Sequence, residues 1–122
     1  LHLSQEIQFV LKLSPMILGG LNELKEQLKD GTEEAETIQE LQNSLNKMEE
    51  CTSKDDIKKS PAMSKFRRFL DNVEKAETTA GKVIKTTKDG IDIARRLAGH
   101  YNQIAQLCGL PQVPEPFVKR KK

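Results

Sequence analysis

Few residues in this chain are of the types that do chemistry. There are two histidines, His2 and His100, and two cysteines, Cys51 and Cys108. A general base needs hydrogen-bond partners that orient it and tune its pKa. His100 sits in a helical pattern with no carboxylate three or four residues away, so it reads as a surface or half-buried histidine. Cys51 and Cys108 make neither a metal-ligand spacing nor a disulfide framework. They read as free thiols of a reducing compartment, which points to a cytoplasmic chain. Gly19-Gly20 lacks the Lys-Ser/Thr of a phosphate-binding loop, and is better read as permitting close helix packing or a local bend. No catalytic constellation, cofactor motif or metal-ligand set emerges, so a non-enzymatic protein is expected.

The elements that carry these residues are helical. The chain has 122 residues, enough for one domain with a modest core. Only 36% of residues are hydrophobic and 31% are charged, which suits slender helices with large solvated faces. Trp is absent and Tyr101 is the only tyrosine, so no base-stacking platform is expected and nucleic acid is a remote partner. Residue 1 is Leu, and the chain reads as part of a longer polypeptide. The most apolar stretch, Ile7 to Leu21, contains Lys12 and is shorter than the roughly 20 residues of a spanning helix.

Asp30-Gly31-Thr32 marks a helix stop followed by a helix start. Thr32 can cap the second helix, with Glu33, Glu34 and Glu36 at its amide end and Lys29 at the carbonyl end of the first. Two matching seams flank this turn: Ile17, Leu21, Leu24 and Leu28 before it, and Ile38, Leu41, Leu45 and Met48 after it. Their spacing of three and four predicts an αα-hairpin whose second helix ends near Glu50. Upstream, Ile7, Val10 and Ser14 extend the first seam. Residues 6–13 also alternate as a strand would, with a fresh helix start at Ser14-Pro15. The helix reading is preferred and needs a kink at Pro15.

Cys51 to Lys59 reads as a polar connection with a short helical turn. Ser60-Pro61 opens the longest pattern. Phe66, Leu70, Val73, Ala80, Ile84, Ile91, Ala94, Ala98, Tyr101, Ala105 and Cys108 form one seam, interrupted by Glu77 and Thr87. Lys88-Asp89-Gly90 could form a turn, but a turn usually resets the phase and the phase survives Gly81 and Gly90, so one long helix is expected, or two helices broken near one of those glycines. Unbroken, 61–108 would span about 70 Å, longer than the preceding helices can cover. It must fold back or meet another chain. Gly109 then reads as a Schellman-type stop, with Pro111, Pro114 and Pro116 stiffening the tail. The expected architecture is an all-α bundle over 1–108, an αα-hairpin plus one long or once-broken amphipathic helix, followed by a Pro-rich basic tail over 109–122.

Charge is unevenly divided. Residues 1–51 hold 4 Lys and 10 acidic residues, net −6; residues 52–122 hold 16 bases and 8 acids, net +8. On the long helix Arg68, Lys75, Lys82 and Arg96 recur at multiples of seven, opposite the apolar seam; Lys65, Arg67, Lys85, Lys88 and Arg95 widen this basic spine. With Lys119 and Arg120 of the tail it is a candidate face for an anionic partner. The nearest candidate is the acidic hairpin of the same chain, through Glu33, Glu34, Glu36 and Glu40. Phe9, Ile84, Ile91, Tyr101 and Phe117 are the apolar candidates for contact with a partner.

The run "GHYNQIAQLCGLPQVPEPF", Gly99 to Phe117, is similar to the C-terminal ends of large multidomain bacterial signalling and defence proteins, the likeness covering mainly residues 84–117. In those proteins a helical appendage accompanies an effector domain. The resemblance implies a non-enzymatic helical module at the end of a longer polypeptide, and it carries over no functional residues. The leading expectation is an interaction or regulatory bundle that contacts itself or an upstream domain of its own parent chain. The alternative is a membrane-acting bundle that inserts Phe9 to Leu18 and binds anionic lipid through its bases.

Overall fold

The computed structural model describes residues 4–75 and 78–113. These residues form six α-helices and one 3-10 turn: α1 (Gln5–Glu26), α2 (Glu33–Lys47), the turn Met48–Glu50, α3 (Lys54–Lys59), α4 (Pro61–Glu74), α5 (Thr79–Thr86) and α6 (Gly90–Cys108). Residues 6–13 are helix, as preferred. The inner seam decides this: Ile7, Val10, Leu13, Ile17, Leu21 and Leu24 are all buried, while Phe9 is exposed and Leu11 half-buried. A strand would have placed Ile7, Phe9, Leu11 and Leu13 on one face.

Pro15 lies inside α1 and begins no new helix. It offers no N–H to the carbonyl of Leu11. Ser14 is buried on the inner face instead of capping, and its hydroxyl has no hydrogen-bond partner among the described residues. The actual cap of α1 is Ser4, whose Oγ accepts from the amide of Ile7 at 3.2 Å. The hairpin turn is as expected: Gly31 is left-handed (φ 84°), and Thr32 Oγ1 accepts from Ala35 N at 3.2 Å. However, α1 stops at Glu26, so Lys25 and not Lys29 lies in its last turn.

α1, α2, α4 and α6 make a four-helix bundle. α1 packs on α2 and α6, and α4 packs on α2 and α6. Cross-helix contacts fix the directions. Glu23 of α1 meets Arg96 of α6, Ser44 of α2 meets Lys65 of α4, and Phe66 of α4 meets Tyr101 of α6. Each neighbouring pair is therefore antiparallel, giving up-down-up-down topology. The inner seams interdigitate in one core. Fully burying a Leu, Ile or Phe stabilises by about 1.5–3 kcal/mol, whereas an exposed ion pair contributes about 0–1 kcal/mol. The core therefore sets the fold, and surface charge only tunes it.

The expected long helix is three helices. The chain leaves α4 after Glu74 and α5 after Thr86, so it breaks near both Gly81 and Gly90. Threonines direct the breaks. Thr78 caps α5, with Oγ1 accepting from Gly81 N at 2.9 Å. Thr87 ends α5, its hydroxyl donating to the Ile84 carbonyl at 2.7 Å. Asp89 then takes the left-handed conformation (φ 62°), which Asp tolerates better than most residues. α5 packs on α4 and α6 and adds Ile84, which is fully buried, to the core. The surviving heptad phase had argued for continuity; the chain reverses and re-enters the same core instead.

The two glycines are needed because these turns are tight. A Cβ on Gly81 would lie 2.2 Å from the Lys75 carbonyl oxygen, and one on Gly90 2.0 Å from that of Ile84. At the other end, Gly109 stops α6 in the left-handed conformation (φ 75°), and Leu110 N donates to Ala105 O at 2.9 Å, the Schellman bond. Asn102 then straps the chain back on α6: its Oδ1 accepts from Val113 N at 2.8 Å, and Val113 is buried. The remainder of the tail, from Pro114, lies outside the described residues.

In a continuous helix, Gly81→Ala or Gly90→Ala would stabilise by about 1 kcal/mol. In these turns the added methyl meets backbone oxygen, so each should destabilise, by about 2 kcal/mol as for an overpacked site. Urea unfolding of the two variants measures the sign.

Candidate functional site

The titratable groups of the described residues show no activated nucleophile. Burial pushes the Cys51 thiol up, and the Asp56 and Glu50 carboxylates push it further. Burial also raises Cys108, against an opposing pull from Lys54 and Lys58. Both thiols are free and stay protonated at neutral pH, the unreactive form. Burial raises the Tyr101 phenol too, with Arg67 opposing. His100 Nδ1 lies 3.4 Å from Gln103 Oε1. No group of three or more His, Cys, Asp or Glu among the described residues is placed to hold a metal ion. None of the helices there is long and apolar enough to cross a membrane.

The expected basic spine is dispersed. Arg68 is on α4, Lys75 at its C-terminal cap, Lys82 on α5 and Arg96 on α6. All four are exposed, but α4 and α6 run in opposite directions, so the heptad alignment is lost. Arg96 Nη2 pairs with Glu23 Oε1 of α1 at 3.3 Å. Arg68 and Lys65 instead line a groove of about 370 Å³ opposite Glu33, Glu34 and Glu40 of α2, over a floor of Leu41, Phe69 and Ile84. The acidic hairpin thus faces part of the basic surface, although no ion pair among the described residues crosses the groove.

The apolar candidates divide. Ile84 and Tyr101 are core residues and are not available to a partner; Tyr101 is 2% exposed and meets Phe66 edge-to-face at 5.4 Å. They were misassigned because one continuous helix would have left part of its seam bare. Ile91 is half-buried. Phe9 is exposed. Phe117, Lys119 and Arg120 lie outside the described residues.

The sequence reading had singled out Gly19-Gly20 but missed what forms around it. Met16 is 54% exposed, the most open large apolar side chain among the described residues. It borders a shallow hollow of about 660 Å³ where α1 crosses α6, lined by Pro15, Gly19 and Glu23 on one side and Arg96, Gly99 and His100 on the other. The adjacent glycines have different roles. A Cβ on Gly20 would lie 3.0 Å from Leu97 Cδ2, so Gly20 permits the helices to approach. A Cβ on Gly19 or Gly99 would meet nothing within 4 Å. These two sit in helix interiors, where Gly costs about 1 kcal/mol relative to Ala, and no packing among the described residues requires it. The detectable signal was a mid-helix Pro beside paired Gly on a face also holding Phe9 and Met16.

The chain matches no family model, and neither the curated proteins nor the solved structures give a match.

If the α2 carboxylates screen the bases across the groove, changing Glu33, Glu34, Glu36 and Glu40 together to Gln should strengthen binding to heparin. The increase should be largest at low salt, where surface charges are least screened. Elution from a heparin column at unchanged salt would show that the carboxylates do not screen that face.

Proposed function

We propose that this chain is a non-enzymatic helical interaction module, which docks a protein partner on the outward face of α1 and α6. The observation that carries this reading is the convergence of Gly19 and Gly99, both facing open space, on a hollow beside exposed Met16. Helix-weakening residues that folding does not require, gathered at one surface, suit a site kept open for something else. Phe9 extends the apolar edge, and Met16 supplies an adaptable contact. Glu23 and Arg96 give the hollow a polar rim, the usual anatomy of a protein interface.

The membrane-acting alternative is less favoured. Insertion of Phe9 to Leu18 would have to extract Val10, Leu13 and Ile17 from the core, where they are at most 6% exposed. Each such side chain stabilises the bundle by about 1.5–3 kcal/mol, so the whole segment cannot leave without unfolding it.

A photo-crosslinking amino acid at Met16, with the chain in the cells that make it, tests this reading. Met16 should give a discrete protein adduct, whereas the same group at exposed Asn46 of α2 should not. No adduct from Met16, or equal adducts from both positions, would contradict a docking face there.

A further inference from the structure

We infer that the occupant of the hollow is a second copy of this chain, docked antiparallel about a two-fold axis through α1; this rests on the hollow being the docking face. α1 carries two seams. The inner one builds the core. The outer one comprises Gln5, Phe9, Lys12, Met16, Gly19 and Glu23, all exposed, at alternating spacings of four and three. That is the spacing by which helices pack on one another in a coiled coil. Among the described residues α6 reaches only its edge, through Arg96 and Gly99, and no helix packs over it.

The face is complementary to itself. It bears a protruding side chain, Met16, next to a hollow floored by Gly19 and Gly99. A surface holding both knob and hole can bind its own copy isologously, each subunit contributing one of each. Seating each Met16 over Gly19 of the second copy sets the register. Lys12 then comes opposite Glu23 of the second copy, twice. That carboxylate already accepts from Arg96 of its own subunit at 3.3 Å, so it would be shared between two cations. The competing register, with Phe9 over Gly19, would instead bring the two Lys12 side chains near each other. Charge therefore favours the Met16 register. The absence of a side chain at Gly19 lets the two α1 backbones come close, and Gly99 leaves room for the methionine.

Sedimentation equilibrium of the full chain should show a reversible monomer–dimer equilibrium. Met16→Ala removes one anchor from each subunit and should weaken it about a hundredfold, about tenfold per buried anchor. Gly19→Leu, which fills the hollow, should abolish it, while thermal melting by circular dichroism shows the bundle still folded. The register has its own test, in a chain with Cys51→Ala and Cys108→Ala. Adding Lys12→Cys with Glu23→Cys should give a covalent dimer on incubation with oxidised glutathione. Positions 12 and 23 lie about 16 Å apart along one helix, too far for a bridge within one chain. Gln5→Cys with Glu23→Cys, which reports the competing register, should remain uncrosslinked. A parent chain that is monomeric at every concentration would overturn the inference, as would a dimer insensitive to Gly19→Leu or one bridged only by the second cysteine pair. A monomeric chain whose Met16 still crosslinks to a different protein would overturn self-association and leave the docking face standing.

Discussion

The bundle depends on the close approach of its first and last long helices at Gly20. There the α1 backbone lies against Leu97 and Ile93 of α6, with a Cβ position only 3.0 Å from Leu97 Cδ2. α1 and α6 are far apart in sequence yet form the most extensive helix pair. Their contact closes the ring that α2 and α4 complete. Because the approach is set by a residue without a side chain, Ile17, Leu21, Leu24, Leu97 and Ala98 can all reach the same core. The same geometry creates the outer hollow. Two helices brought close at Gly20, with Gly19 and Gly99 just outside the contact, leave a depression that neither helix fills.

Charge follows this framework and does not create it. The acidic first part and basic second part of the chain meet along antiparallel helices, α1 with α6 and α2 with α4. Glu23 with Arg96 is the one ion pair among the described residues that joins different helices; the others are local pairs within α3, α4 and α6. Across the α2–α4 groove the opposed charges face each other without pairing. Exposed pairs contribute about 0–1 kcal/mol each, so this arrangement does not lock the fold.

Much of the architecture was legible because it rests on local chemistry. Thr32 and Ser60 were recognisable caps, Gly31 and Gly109 recognisable stops, and the α2 seam from Ile38 to Met48 is buried throughout. The three-way division of 61–108 was hidden because its apolar heptads keep phase through both reversals. Thr87, one of the two interruptions of the seam, is the C-terminal cap of α5, and Thr78, which carried no signal in the apolar pattern, is its N-terminal cap. That error propagated to function, since a spine drawn on a continuous helix dissolves once α4 and α6 run in opposite directions. The hollow was partly legible. Gly19-Gly20 pointed to close packing, but which of the two faces α6 depends on the exact rotation of α1, which the broad apolar pattern around Leu18 does not fix. Gly99 could be placed beside them only by the tertiary contact.

The contrast between adjacent glycines tests the central geometry most directly: the unfolding free energies of Gly19→Ala and Gly20→Ala, measured side by side in urea. Both replace a helix-interior glycine by alanine, which alone stabilises by about 1 kcal/mol. Gly19 faces open space within the subunit, so Gly19→Ala should realise that gain at protein concentrations dilute enough to keep the chain monomeric. Gly20 faces buried Leu97, so Gly20→Ala should be no more stable than the parent, or less. Equal stabilisation at both positions would contradict a close approach of α1 and α6 at Gly20, and with it the origin of the hollow.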